Sequence, residues 1–187
     1  MSTDSPVIAE TAKKYGAETP FLRPAELSTD TSPEWLAWKH ALEWIRRDEG
    51  KLPSAMVSVP TTSPLRLPQD IEAALTVFAK GDVDAVITIT PARRNPYFNM
   101  VHQAPDGTVK LIIQTNATLS RRQDAPGIYD VCTLAYVVAP SFILSRSSIF
   151  SGRVSAVVVP AERAVDIDNI NDLEFAEYLM KKRSKMP

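Results

Sequence analysis

Cysteine and histidine are nearly absent from this chain: it has one cysteine, Cys132, and two histidines, His40 and His102. A single cysteine excludes an intrachain disulfide and points to a reducing compartment. Three such residues are too few for an ordinary tetrahedral zinc site. The six glycines form neither a Gly-rich phosphate loop nor the strained turn that carries a hydrolase serine. Neither sign of charge dominates, with 21 basic and 22 acidic residues and a net charge of −1. Bulk electrostatics therefore gives no reason to expect nucleic acid or an anionic membrane as partner. No apolar run is long enough to span a bilayer, and the opening MSTDSPVIAE lacks the basic and apolar regions of a signal peptide. A cytoplasmic location is expected. Metal chemistry, if present, must run on carboxylates, which favours magnesium or a similar hard ion and hence phosphate substrates.

What is present is ordinary for a globular protein: 187 residues, 44% hydrophobic and 23% charged, enough for one α/β domain over 1–187. No repeat or low-complexity tract interrupts it. A helix over 7–15 ends at Gly16. A second opens at Ser32, a good N-cap, with Pro33 and Glu34 in its first turn. Trp35, Trp38, Ala41, Leu42 and Ile45 then make one apolar stripe at helical spacing, the tryptophans reading as core. Strands are predicted over 55–59, 85–90, 131–138 and 154–159. The last is nearly continuous in apolar residues, as expected of a strand buried on both faces. Helices are predicted from Pro68 to Gly81 and over 142–149, although Leu67 makes a poor cap. A final helix is assigned Asn171 as cap, with Leu173, Phe175, Ala176, Leu179 and Met180 on its apolar side. Pro105-Asp106-Gly107 between two β-forming runs predicts a hairpin. Alternating elements imply a mostly parallel sheet with helices on its faces, and ligands at the loops beyond the strand ends, 60–67, 91–99 and 160–170.

Two segments could carry chemistry. Asp166 and Asp168 flank Ile167, and in extended chain residues two apart point the same way. Both carboxylates could thus address one hard cation, or simply cap turns. Arg121, Arg122 and Gln123 occupy a polar loop, where an arginine fork suits carboxylate or phosphate oxygens; solvated loop residues would read the same. Arg23 and Arg66, each beside a proline, are undecided alone. The C-terminal Lys181, Lys182, Arg183 and Lys185 fit a solvated helix end.

Taken in order, Ser2-Thr3-Asp4-Ser5, Arg23-Pro24-Ala25-Glu26-Leu27, Thr29-Asp30-Thr31, Thr62-Ser63-Pro64-Leu65-Arg66, Asn95-Pro96-Tyr97, Arg122-Gln123, Tyr136 and Glu162-Arg163-Ala164-Val165-Asp166-Ile167-Asp168 with Asp172 resemble the acylneuraminate cytidylyltransferase family, the CMP-sialic acid synthetases. The resemblance implies a Rossmann-like α/β fold and attack of an acidic sugar's hydroxyl on the α-phosphate of CTP. It implies that Arg23 meets the cytosine, with Ser32 and Glu34 along the same nucleotide pocket. Arg122 and Gln123 would face the sugar acid, Tyr136 would lie along that pocket, and Asp166 and Asp168 would hold Mg2+. Residues 95–126, hairpin included, would be the arm through which members form homodimers.

Departures from the family pattern carry their own implications. Pro60-Thr61 stands where Gln-Pro is common, Cys132-Thr133 where Asn-Gly is common, and Phe98-Asn99 where a lysine is common. These imply a sugar acid other than sialic acid itself. The family's Gly-Ser-Lys loop, which wraps the triphosphate, is not among these residues. By this reading an N-terminal βαβ unit and slightly more, roughly fifty residues, is missing, and the chain as written is expected to bind CTP poorly. Two alternatives stand beside the enzyme: a non-catalytic remnant or partner subunit, and a 3-deoxy-octulosonate cytidylyltransferase.

Overall fold

The computed structural model describes residues 1–114 and 124–184. Helix α1, Pro6–Lys14, is capped by Ser5, whose hydroxyl accepts the Ile8 N–H at 3.3 Å, with Pro6 in the first position where no N–H is needed. Helix α2 spans Glu34–Glu49 and stops at Gly50, which takes the left-handed conformation (φ 72°) that an L side chain resists. Its cap is Pro33, not Ser32 as the sequence predicts. The Ser32 hydroxyl turns back into the preceding turn, donating to the Glu26 carbonyl at 3.0 Å and lying 2.7 Å from the Thr29 hydroxyl.

The remaining elements are β1 (Met56–Ser58), α3 (Pro68–Phe78), β2 (Ala85–Pro91), β3 (Val101–Gln103), β4 (Val109–Leu111), β5 (Tyr129–Val138), α4 (Pro140–Ser145), β6 (Val154–Val158) and α5 (Ile170–Arg183). Leu67 succeeds as the residue before α3 because Asp70 reaches back, its carboxylate accepting the Leu67 N–H at 2.9 Å. That is one half of a capping box. Four strands form a sheet in the order β1-β5-β2-β6, and β3 pairs with β4 alone. β1 and β5 are antiparallel, with Met56 opposite Val138 and Ser58 opposite Tyr136. Asp84 N–H to Arg153 O and Val159 N–H to Ile89 O, both 2.8 Å, rise together along β2 and β6 and mark them parallel. Ala139 N–H to Asp84 O and Ala92 N–H to Ile128 O run in opposite senses, so β5 opposes β2. The sheet is therefore mixed: β1, β2 and β6 share a direction and β5 runs against them.

Two expectations are corrected here. β6 is not buried on both faces; it is last in the strand order and Val158 is 55% exposed. The cap of helix α5 is Asn169, two residues before the expected one. Asn169 accepts the Asn171 and Asp172 N–H groups while Asp172 accepts the Asn169 N–H, a complete capping box. Of its predicted apolar side only Ala176 is buried, and Leu173, Phe175 and Met180 are exposed.

The chain divides into two compact units. In the first (Met1–Ser58, Leu75–Val86, Tyr136–Ser155) Trp35, Trp38, Leu42, Ala85, Val138, Phe142 and Ile143 form the core. The Trp35 indole N–H, buried with its ring, donates to the carbonyls of Ile143 and Arg146 at 3.2 and 2.7 Å, as a buried indole requires. In the second (Val59–Ala74, Ile87–Ala135, Ala156–Pro187) Cys132, Leu134 and Val159 pack with Ala164. The fully buried Thr88 hydroxyl donates there to the Cys132 carbonyl at 2.8 Å. The hairpin forms as predicted, with Gly107 at φ 84° closing the turn. Among the described residues no helix is long and apolar enough to cross a membrane.

Candidate functional site

The first unit holds four of the residues singled out by sequence. Arg23 is fixed from both ends: its N–H donates to the Thr3 carbonyl at 2.8 Å and its Nε to the Ser28 hydroxyl at 2.8 Å. Its fork lies 3.6 Å from Asp4. This ties the Ser2–Ser5 and Arg23–Leu27 motifs, far apart in sequence, into one cluster. Glu34 accepts the Trp38 indole N–H at 3.1 Å and the Ser58 hydroxyl at 3.3 Å, so its carboxylate links α2 to β1. Tyr136, opposite Ser58 in the register, sets its ring 5.5 Å from that of Trp38. Glu34, Trp38, Ser58 and Tyr136 thus form one connected group, which no sequence spacing showed.

The second unit holds the acidic segment. Residues 160–163 make a turn, with the Arg163 N–H donating to the Pro160 carbonyl at 3.0 Å, and the chain then runs without helix or strand to Ile167, whose N–H donates to the Thr62 carbonyl at 2.9 Å. The Thr62–Arg66 motif and the Asp166–Asp168 motif are therefore hydrogen-bonded neighbours. Asp166 is half-buried, and its Oδ1 is shielded from solvent with no hydrogen-bond partner. Asp168 is exposed, and its N–H donates to Asp172. Arg66 donates through its Nη2 to the Pro60 carbonyl, while its Nε is buried and unpartnered. Burial pushes the Arg66 guanidinium below its ordinary value, and the negative charge of Asp166 acts against that. A buried carboxylate oxygen without a partner is costly in a protein left to itself.

Those observations test the metal expectation. Asp166 offers an unsatisfied hard oxygen, and Asp168 lies two residues on, at a bend. Among the described residues no group of three or more His, Cys, Asp or Glu side chains could hold a metal ion. A cage of three or more such protein ligands is thus not found among the described residues, whereas Mg2+ is commonly held by only one or two carboxylates with substrate phosphates. The residues present fit that ion.

The sequence missed one feature of this unit. Asp70, its side chain 4% exposed, accepts both arms of the Arg163 fork, at 2.7 and 3.0 Å. Those hydrogen bonds, with the Asp70 charge adding to them and burial opposing, hold the Arg163 guanidinium above its ordinary value. The two are 93 residues apart, so only the apolar neighbours of Asp70 in α3 could have hinted that it is buried. Arg122 and Gln123 lie outside the described residues.

No family model matches the chain. It is 32% identical over 186 residues to post-translational flagellin modification protein B of Campylobacter coli, covering 98% of this chain and 77% of that protein. It is also 32% identical over 187 residues to the CMP-N,N'-diacetyllegionaminic acid synthase of Campylobacter jejuni subsp. jejuni, covering 100% of this chain and 78% of that protein. Among solved structures, CMP:2-keto-3-deoxy-manno-octonic acid synthetase complexed with CTP superposes with a TM-score of 0.67 at 10% identity, over 97% of this chain and 80% of that one. That likeness establishes a common fold.

Proposed function

Because the chain belongs to the acylneuraminate cytidylyltransferase family, we propose that it transfers the cytidylyl group of CTP to an acidic nine-carbon sugar. The sugar hydroxyl oxygen bonds to the α-phosphorus, the bond from that phosphorus to the bridging β-oxygen breaks, pyrophosphate leaves, and the hydroxyl proton is released. The observation that carries this reading is the 32% identity, over the full length, to a CMP-N,N'-diacetyllegionaminic acid synthase. It also favours a nonulosonate of the legionaminic type over sialic acid. Pro60-Thr61, Cys132-Thr133 and Phe98-Asn99, where this chain departs from the family pattern, agree with a sugar acid other than sialic acid.

Each residue has one task in this reading. Asp166 and Asp168 hold Mg2+, which when bound offsets negative charge on the triphosphate. Arg23, locked by Thr3 and Ser28, presents a preset fork to the cytosine, with Ser32 and Glu34 bordering that pocket. Arg122 and Gln123 take the sugar carboxylate, for which a planar fork is suited, and Tyr136 borders the sugar pocket. The hairpin within 95–126 serves as a homodimer arm: Val101 and Val109 are more than half exposed, and Ile112 beside them is too. A cytoplasmic site of action suits CTP and a lone buried thiol.

The test is pyrophosphate release by the protein isolated from its own cells, with CTP, Mg2+ and one acidic sugar at a time. N,N'-diacetyllegionaminic acid is expected to give the highest kcat/KM, above pseudaminic, N-acetylneuraminic and 3-deoxy-manno-octulosonic acids. Preference for the eight-carbon acid would replace the nonulosonate reading, and no turnover with any sugar would leave the non-catalytic alternative.

A further inference from the structure

We infer that Asp70 is a positioning residue: through Arg163 it sets where Asp166 stands, and so sets metal affinity without touching the metal. The inference rests on the reading of Asp166 as a metal ligand.

Three anchors hold the segment that ends in Asp166. At its start, the Arg163 fork is clamped by both oxygens of Asp70 at 2.7 and 3.0 Å. In its middle, Ala164 packs against Cys132, Leu134 and Val159. At its end, Ile167 N–H is held by the Thr62 carbonyl at 2.9 Å. Asp166 sits three residues after the first anchor and one before the last. Its shielded Oδ1 has no hydrogen-bond partner to fix its direction, which leaves the placement of its backbone as a main determinant. Residues 164–167 belong to no helix or strand, so no ladder would hold them if an anchor were lost.

Asp70 is fixed enough to serve. It is 3% exposed, sits in the first turn of α3, and accepts the Leu67 N–H at 2.9 Å while gripping Arg163. One carboxylate therefore joins the start of α3, directly after the Thr62–Arg66 motif, to the start of the acidic segment. Both motifs are then placed by the same buried group. A bidentate arginine fork fixes orientation as well as distance, which a lysine at position 163 could not do. Partners one step removed from a metal commonly tune its affinity tenfold or more when altered.

The experiment is Mn2+ titration in the presence of CTP, followed by electron paramagnetic resonance, of the whole protein and of Asp70→Asn, Arg163→Lys, Asp166→Asn and the double variant Asp70→Asn/Arg163→Met, with thermal unfolding measured on each. Asp70→Asn and Arg163→Lys are expected to bind Mn2+ about tenfold more weakly while still folded at the titration temperature. The double variant leaves no buried charge unpaired, so it is expected to regain stability over Asp70→Asn without regaining affinity. Mn2+ affinity unchanged in folded Asp70→Asn would overturn the inference and leave the metal reading intact. Failure of the unaltered protein to bind Mn2+, or equal binding by Asp166→Asn, would remove the metal reading and this inference together.

Discussion

Gly152 stands in extended backbone (φ −121°, ψ −169°), so any residue could adopt its conformation, yet there is no room for one. A Cβ there would lie 2.5 and 2.6 Å from Phe142 ring carbons and 2.7 Å from Asp84 Oδ2. Neither neighbour yields cheaply. Phe142 is 7% exposed and packs edge-on against Trp35 in the core. Asp84 Oδ2 accepts the Arg153 N–H at 2.8 Å. Forcing the ring aside is an overpacking change costing about 1–3 kcal/mol. Moving the carboxylate as well forfeits a bond of about 1 kcal/mol net. The reduced freedom of the unfolded chain returns about 0.4–1 kcal/mol. Gly152→Ala is thus expected to lose about 1–3 kcal/mol in urea unfolding, seen as a lower midpoint at unchanged slope. Gly127→Ala is the control, since its Cβ would meet only Tyr129 at 4.0 Å, and it is expected to be neutral to more stable by about 0.4–1 kcal/mol. A Gly152→Ala protein as stable as the original would refute the steric reasoning.

Other outcomes follow from the same geometry. Glu34→Ala removes the acceptor of the Trp38 indole and of Ser58 and should cost about 1–2 kcal/mol, with Glu34→Gln milder; a CTP affinity unmoved by both would show that Glu34 is structural alone. Burial raises the Cys132 thiol above its ordinary value, so fewer thiolates form at pH 8. Alkylation there should be slow in the native protein and fast in urea, and rapid native labelling would contradict that burial. Val101→Lys with Val109→Lys, both on exposed strands of the hairpin, should shift sedimentation from dimer to monomer if the arm joins two copies, and an unchanged dimer would place the interface elsewhere.

Local signals carried most of the elements. Gly16, Gly50 and Gly107 mark turns because each takes positive φ, and the α2 stripe finds its core residues by spacing alone. What failed to read out is a competing partner a few residues away or whatever depends on distant chain. Ser32 looks like a cap until Thr29 and Glu26 compete for its hydroxyl. Asn171 looks like a cap until Asn169 and Asp172 complete a box earlier. β6 reads as doubly buried from its valines, but position in the strand order decides exposure, and sequence does not show that order. The site was legible as motifs. That Ser2–Ser5 meets Arg23 and that Thr62 meets Ile167 required the fold, and the Asp70–Arg163 clamp had no local signature at all.

The account stands on cytidylyl transfer. Phosphorus NMR of CTP with N,N'-diacetyllegionaminic acid, Mg2+ and the protein from its own cells follows that step directly. The predicted result is loss of the triphosphate signals with equal appearance of pyrophosphate and a single phosphodiester, abolished in Asp166→Asn. Intact CTP after prolonged incubation, or equal turnover by Asp166→Asn, would contradict it.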